Sequence, residues 1–313
     1  MIKFFTIFFI LFSFVATPQD LHYSQVDKTR SLINPSLIAN QNQDYEIQIQ
    51  RRSQWSSVSI PFNTISLSFN AKQIYKNFSI GSTVLNDIAG DSHFSTNGLA
   101  LSFANSINTS KNSFSFGFQI AGYQRSLNYE NLIFLQNEQL ENSNFSFFDI
   151  GIGLSNYKQI DKNTAILVGI SSFHLNKPKQ SLMSNDNVFL SPKKIFHSTY
   201  YSKVSSEISL SPTIYVSAQA QDREFVIGSG IGYHIKDDIV LQTGLYSRIK
   251  DAFFLTLGIE RENLELIVSY DINISSLNQA SNYMGAFEFS ICYGWQIIKE
   301  KINITEKICP QYL

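Results

Sequence analysis

The side chains that could support chemistry in this chain are few and poorly spaced for it. The five histidines, His22, His93, His174, His197 and His234, form no HExxH motif and no paired metal spacing, and no cysteine pair accompanies them; hydrogen bonding in loops or a lumen is the expected role. No GxSxG elbow is present, so Ser–His–Asp hydrolysis has no support. Gly228, Gly230 and Gly232 make a G-x-G-x-G run inside an alternating stretch. A phosphate cradle needs a helix after the glycines, so close packing or a bend in a strand is expected instead. Asp87 and Asp91 bracket a glycine in the manner of a loop turn rather than a cation site. Cys292 and Cys309 are either two incidental thiols or a disulfide permitted in an oxidising compartment. No enzymatic activity, metal or cofactor is expected.

The elements that would position these residues read as strands. In YEIQIQRR, Tyr45, Ile47 and Ile49 fall on one face and Glu46, Gln48, Gln50 and Arg52 on the other. NTISLSFNA repeats the pattern, with Ile65, Leu67 and Phe69 opposite Thr64, Ser66, Ser68 and Asn70. At the far end Phe287, Phe289, Ile291 and Tyr293 oppose Glu288, Ser290 and Cys292. This is period 2, with one bulky apolar face and one small or polar face. About fourteen such runs follow one another between residues 45 and 295, most of them long enough for a tilted membrane strand of roughly 9–11 residues. The two runs meeting at Arg261-Glu262-Asn263 read as a tight hairpin.

Composition agrees. Charged residues are 16% and aromatics 14%, with 26 Phe and 15 Tyr, while mean hydropathy is only −0.07; alternation dilutes the hydrophobicity of a membrane barrel in this way. The fold expected is all-β, a transmembrane antiparallel β-barrel of about fourteen strands. A net charge of −1 with no strong basic block excludes an electrostatic case for nucleic acid. Residues 1–16, MIKFFTIFFILFSFVA, have one early lysine and a short apolar run, which reads as a signal peptide cleaved near Ala16. Residues 17–44 are the least strand-like, expected as a helix-turn segment in the lumen or on the periplasmic side. Residues 296–313 are expected as a periplasmic tail. Short connections recur at every second turn and the long ones, about Arg125–Ser146, Leu175–Ile195 and Ile274–Met284, fall on the other side. Both termini are therefore expected in the periplasm.

Within the barrel Arg52 is an inward charge expected to pair with a carboxylate such as Glu46 or Glu288 across the lumen, and Trp55 is equally readable as an interface aromatic or a recognition residue. VLNDIAGDSHFST, FHLNKPKQS and SYDINISSLNQASN are rich in residues that bond their own backbone, so Asn86, Asp87, Gly90, His174, Asn176, Pro178, Asp271, Ser281 and Asn282 are expected first to shape loops and second to contact a partner.

The chain also resembles the PorP/SprF family of outer-membrane proteins associated with type IX secretion. The likeness runs from DLHYSQ at residues 20–25, including His22, through Asn34-Pro35 and R-x-Q-W at Arg52, Gln54 and Trp55. It continues through VLNDIAGD, FHLNKPKQS and the stretch Leu257–Ser290, and closes with Cys309-Pro310-Gln311-Tyr312. Leu21 and Val26 depart from the family's proline and aromatic. The resemblance implies a barrel embedded in outer-membrane lipid that works by binding. Its implied partners are a secreted adhesin or other type IX client with a C-terminal sorting domain, and a periplasmic linker or motor-ring component. The competing expectation is a passive or substrate-specific channel, suggested by the Gln, Ser, Thr and Glu of the inward face.

Overall fold

A computed structural model of the chain describes residues 20, 22–54, 60–90, 94–127, 144–181, 188–236, 238–275 and 283–297. The strands are β1 (Tyr45–Gln54), β2 (Phe62–Tyr75), β3 (Phe78–Ala89), β4 (Phe94–Asn108), β5 (Asn112–Ser126), β6 (Asn144–Gln159) and β7 (Thr164–Phe173). They continue as β8 (Lys193–Lys203), β9 (Ile208–Gln219), β10 (Asp222–Lys236), β11 (Ile239–Arg248), β12 (Ala252–Arg261), β13 (Leu264–Asn273) and β14 (Met284–Trp295). Each pairs antiparallel with its sequence neighbours, and β1 pairs with β14 from Tyr45↔Trp295 to Gln54↔Ala286, closing a fourteen-stranded barrel. Closure leaves no edge strand, the condition for backbone in lipid. Among the described residues no helix is long and apolar enough to cross a membrane; the crossing elements are strands.

The alternation sorts the side chains as its phase dictates. Ile47, Ile49, Leu67, Leu99, Leu101, Phe287 and Tyr293 are exposed on the outside, while Glu46, Gln50, Arg52, Ser66 and Glu288 are buried within. Tyr45 stacks on Trp295 at 5.4 Å and on Phe69 at 6.3 Å, so aromatic rings cover the outer seam where the first and last strands meet. The β13–β14 register slips between Tyr270 and Ile272, and Asp271 lies at that slip; such bulges redirect a side chain.

The strand bounds correct part of the loop reading. Asn86 and Asp87 belong to β3 and Asp271 to β13. The stretch VLNDIA thus continues the ladder almost to Gly90, whose φ of +62° turns the chain, because period-2 side chains can pair even where Asn and Asp favour turns. Asn86 faces out and donates to Asn97 at 2.8 Å, whereas Asp87 accepts from Thr64 at 2.6 Å.

Residues 22–41 run through the lumen from the end bearing the long connections, where Asp20 lies beside His174, to the short-turn end where β1 starts. A four-residue helix, α1 (Arg30–Ile33), is followed by a 3₁₀ helix, Pro35–Ala39, capped by Asn34. The chain ends, residues 1–19 and 298–313, lie outside the described residues, and so does the expected placement of both termini.

Candidate functional site

The lumenal segment meets the wall in two ways. Its first part is a polar strap. The Glu288 carboxylate accepts two successive backbone N–H groups, Ser24 at 2.5 Å and Gln25 at 3.0 Å. It also receives Arg52 Nη1 at 2.5 Å, while Arg52 Nη2 reaches Asp271 at 3.2 Å. The Ser24 hydroxyl uses its whole capacity: it donates to Asp271 at 2.6 Å and accepts from Arg52 at 2.7 Å and Arg248 at 2.8 Å. Arg248 is itself held by Glu224 at 2.9 Å, Asp251 at 3.0 Å and Asp271 at 3.4 Å. The Gln25 carboxamide donates to Ser269 at 3.1 Å and accepts from Ser290 at 2.7 Å, and the Tyr23 hydroxyl donates to Ser66 at 3.1 Å. Arg52 and Glu288 are side by side in the β1–β14 ladder rather than across the lumen, and Glu46 serves Arg30 instead, at 2.8 Å.

The strap's leading end is fixed by His174. Directly after β7 its backbone takes φ +57°, and its ring bridges Asp149 through Nδ1 at 2.9 Å and Asp20 through Nε2 at 2.5 Å. Burial alone would lower the imidazole pKa, but the two carboxylates outweigh it and raise it to about 9. Burial would likewise raise Asp20, yet the hydrogen bond and charge of His174, aided by Lys193 and Arg125, hold it at about 2. Asn176 extends the ladder beyond His174, donating to the Phe148 carbonyl at 2.6 Å and accepting the Ile150 N–H at 3.2 Å. The Pro178 carbonyl accepts Leu190 N–H at 2.9 Å. His22 is pushed well below its ordinary value by burial and by Arg248, Arg52 and Lys193.

The second part is a wedge held by close approach. The fully buried Asn34 accepts from the Ser36 N–H at 3.0 Å and the Ser36 hydroxyl at 2.7 Å, and Pro35 supplies the fixed φ of the first helical position. The Asn34 amide donates to the Leu154 carbonyl at 2.9 Å and the Ile170 carbonyl at 3.2 Å, and lies 3.1 Å from His197 Nε2. A Cβ at Gly117 would collide with the Pro35–Ser36 backbone, and one at Gly153 with the Asn34 side chain; only glycine admits the wedge here. Val26 and Ile33 join Phe173, Ile195, Tyr215, Val226 and Phe254 in an apolar cluster, and Ile38 packs with Ala39 and Ala104.

Beside the segment, at the short-turn end, a cavity of about 610 Å³ remains, lined among others by Lys28, Tyr201, Gly230, Gly232, Glu260 and Cys292. The glycine run is close-packed strand wall inside β10, where a Cβ would meet Tyr246 at Gly228, Ser211 at Gly230 and Ser209 at Gly232, not a phosphate loop. Among the described residues no His/Cys/Asp/Glu group is arranged to hold a metal.

Of the residues singled out from sequence, the structure unites Arg52 with Asp271 at the strap, and places Asn34 and Pro35 at the wedge and His174 at the leading end. Trp55, Ser281, Asn282, Cys309 and Pro310 lie outside the described residues, as does any Cys292–Cys309 bond. Sequence reasoning missed Ser24 and Gln25 as anchor points, Arg248 and Glu224 as their supports, and Asp149 as the support of His174. Arg248 had a readable signal, an inward-phase arginine closing a strand; Ser24 and Gln25 had only their place in the family-like DLHYSQ element.

The family model described as type IX secretion system membrane protein PorP/SprF matches residues 15–293. No curated protein matches the sequence significantly. Among solved structures, the Ralstonia pickettii toluene transporter TbuX is similar at 10% identity and TM-score 0.52, over 84% of this chain and 92% of that one. The P. putida toluene transporter TodX, at 10% identity and TM-score 0.50, is covered over 94% of its length and 85% of this chain. The CymD monoaromatic hydrocarbon channel gives 9% identity and TM-score 0.50, over 85% of this chain and 92% of that one. At such identities the likeness is one of fold, that of an outer-membrane barrel.

Proposed function

Because the chain belongs to the PorP/SprF family of type IX secretion system membrane proteins, we propose that it is a non-enzymatic outer-membrane component of that machinery. It reaches the membrane through a cleaved signal peptide and assists export or surface attachment of a large adhesin-type client by binding it, in concert with a periplasmic linker or motor-ring component. The supporting observation is the lumen itself: residues 22–41 cross it and are ion-paired to the wall through Lys28 and Arg30 and hydrogen-bonded to it, which favours a scaffold over an open conduit. Deleting the chromosomal copy and quantifying the surface proteome tests this. Selective loss of one or a few type IX adhesins is expected; unchanged display of all of them would overturn the reading.

A channel reading draws on the 610 Å³ cavity, which opens among the short turns. The relatives titled as toluene or monoaromatic hydrocarbon carriers share only the barrel, and a wall of Arg, Glu, Gln and Ser suits small polar solutes instead. Planar-bilayer recordings separate the readings, since a stable open conductance of the purified protein would favour the channel.

A further inference from the structure

The strap and the wall it lies on differ in how much each depends on the other. With the strap lifted away, Arg52 would still have Glu288 and Asp271, and Arg248 would still have Glu224, Asp251 and Asp271. Each arginine keeps a carboxylate of the barrel, so departure of the strap strands no buried cation. What the wall takes from the strap is what an extended peptide offers: two adjacent backbone N–H groups on one carboxylate, a hydroxyl among three charged side chains, and a carboxamide read by two serines. A carboxylate spanning consecutive N–H groups recognises backbone, and the serine pair distinguishes a carboxamide, a donor and an acceptor on one planar group, from a carboxylate or an amine.

We propose that the lumenal face of β1, β11, β13 and β14 is a peptide-binding site, occupied in cis by Ser24–Gln25 and open in trans to an extended polar segment of another polypeptide carrying a hydroxyl–carboxamide residue pair. The wedge stays in place during the exchange, because its backbone is interlocked with Gly117 and Gly153. The strap leaves from its Asp20 end, where among the described residues it is bonded to the wall through His174 and through the Asp20 N–H to Gln219 at 3.3 Å. This deepens the binding reading above by naming the chemistry a client segment would present. Its test uses purified protein and no client, so the two can fail separately.

The probe is a fluorescent synthetic peptide of residues 20–29, added to detergent-solubilised barrels whose folding is verified by heat-modifiable migration. A full chain lacking only residues 20–26 is expected to bind it saturably, at least about tenfold more tightly than the intact protein, whose site is filled. Replacing Ser and Gln of the peptide by Ala is expected to weaken binding at least about tenfold, since three charged partners and two serines lose their contacts. Should the deletion fail to fold, the intact chain carrying Ser24→Ala and Gln25→Ala provides the second measurement, and is expected to admit the probe at least about tenfold better than wild type. Probe excluded from a folded variant with the site vacated, or bound equally by the Ala-substituted peptide, overturns the proposal.

Discussion

The strap and the wedge are one continuous segment in one lumen, yet they are held by opposite means. Ser24 and Gln25 are fastened by directional bonds to ionised groups, with Glu288 and Asp271 nearly inaccessible to solvent. Asn34–Ala39 is fastened by proximity: its backbone lies where Gly117 and Gly153 have no side chain, and its polar contacts are to neutral groups, Asn34 to two carbonyls and Ser36 to Ser155. A charged anchorage can be exchanged for an equivalent set of donors, whereas a steric one can only be filled or emptied. The difference teaches which half can move.

Glu288→Ala should separate strap from wedge most strongly. It leaves Arg52 with one carboxylate and two strap N–H groups with no acceptor, and should cost about 3–5 kcal/mol in unfolding experiments in detergent. Asn34→Ala should cost less, about 2 kcal/mol, because it removes a cap and neutral hydrogen bonds only. Trypsin cleavage at Lys28 or Arg30 should rise far more in the first variant than in the second.

pH should separate the halves next. The His174 contribution is fully present below the unfolded value near 6.5 and is lost as pH rises through about 9. The Asp20 contribution is present above its unfolded value near 3.8 and is lost as pH falls through about 2. The gap in thermal midpoint between wild type and His174→Gln should therefore be widest between about pH 4 and 6.5 and should vanish above about pH 9, corresponding to on the order of 2 kcal/mol at its maximum. A gap that widens with alkaline pH would contradict the bridged imidazolium. Ser24→Ala should cost about 1–2 kcal/mol, since the surrounding ions keep one another. Asn86→Ala, on the outer face with Asn97, should change stability by less than about 0.5 kcal/mol, the floor against which the others are read.

Much of this was legible in the chain. The inward phase of Glu46, Gln48, Gln50 and Arg52 and the outward phase of Phe287 to Tyr293 both follow from alternation, and Glu288 stood among the carboxylates expected near Arg52. The loop reading of Asn86, Asp87 and Asp271 failed because turn-forming side chains say nothing about whether a neighbouring strand is present to pair with them. Asn34-Pro35 stood out only by its likeness to a family element; that it threads between Gly117 and Gly153 depends on glycines more than eighty residues away.

What the amino-acid sequence determined by itself is the membrane barrel: the strand count, the face each side chain takes and the ends at which long connections gather, because period 2 is local and a closed sheet in lipid admits few alternatives. What only the tertiary structure decided is the content of the lumen. Ser24, Arg52, Arg248, Asp271 and Glu288 lie up to 264 positions apart, and their meeting is set by strand tilt, the bulge at Asp271 and the path of residues 22–41. Those are properties of the closed cylinder, which no local run of residues encodes.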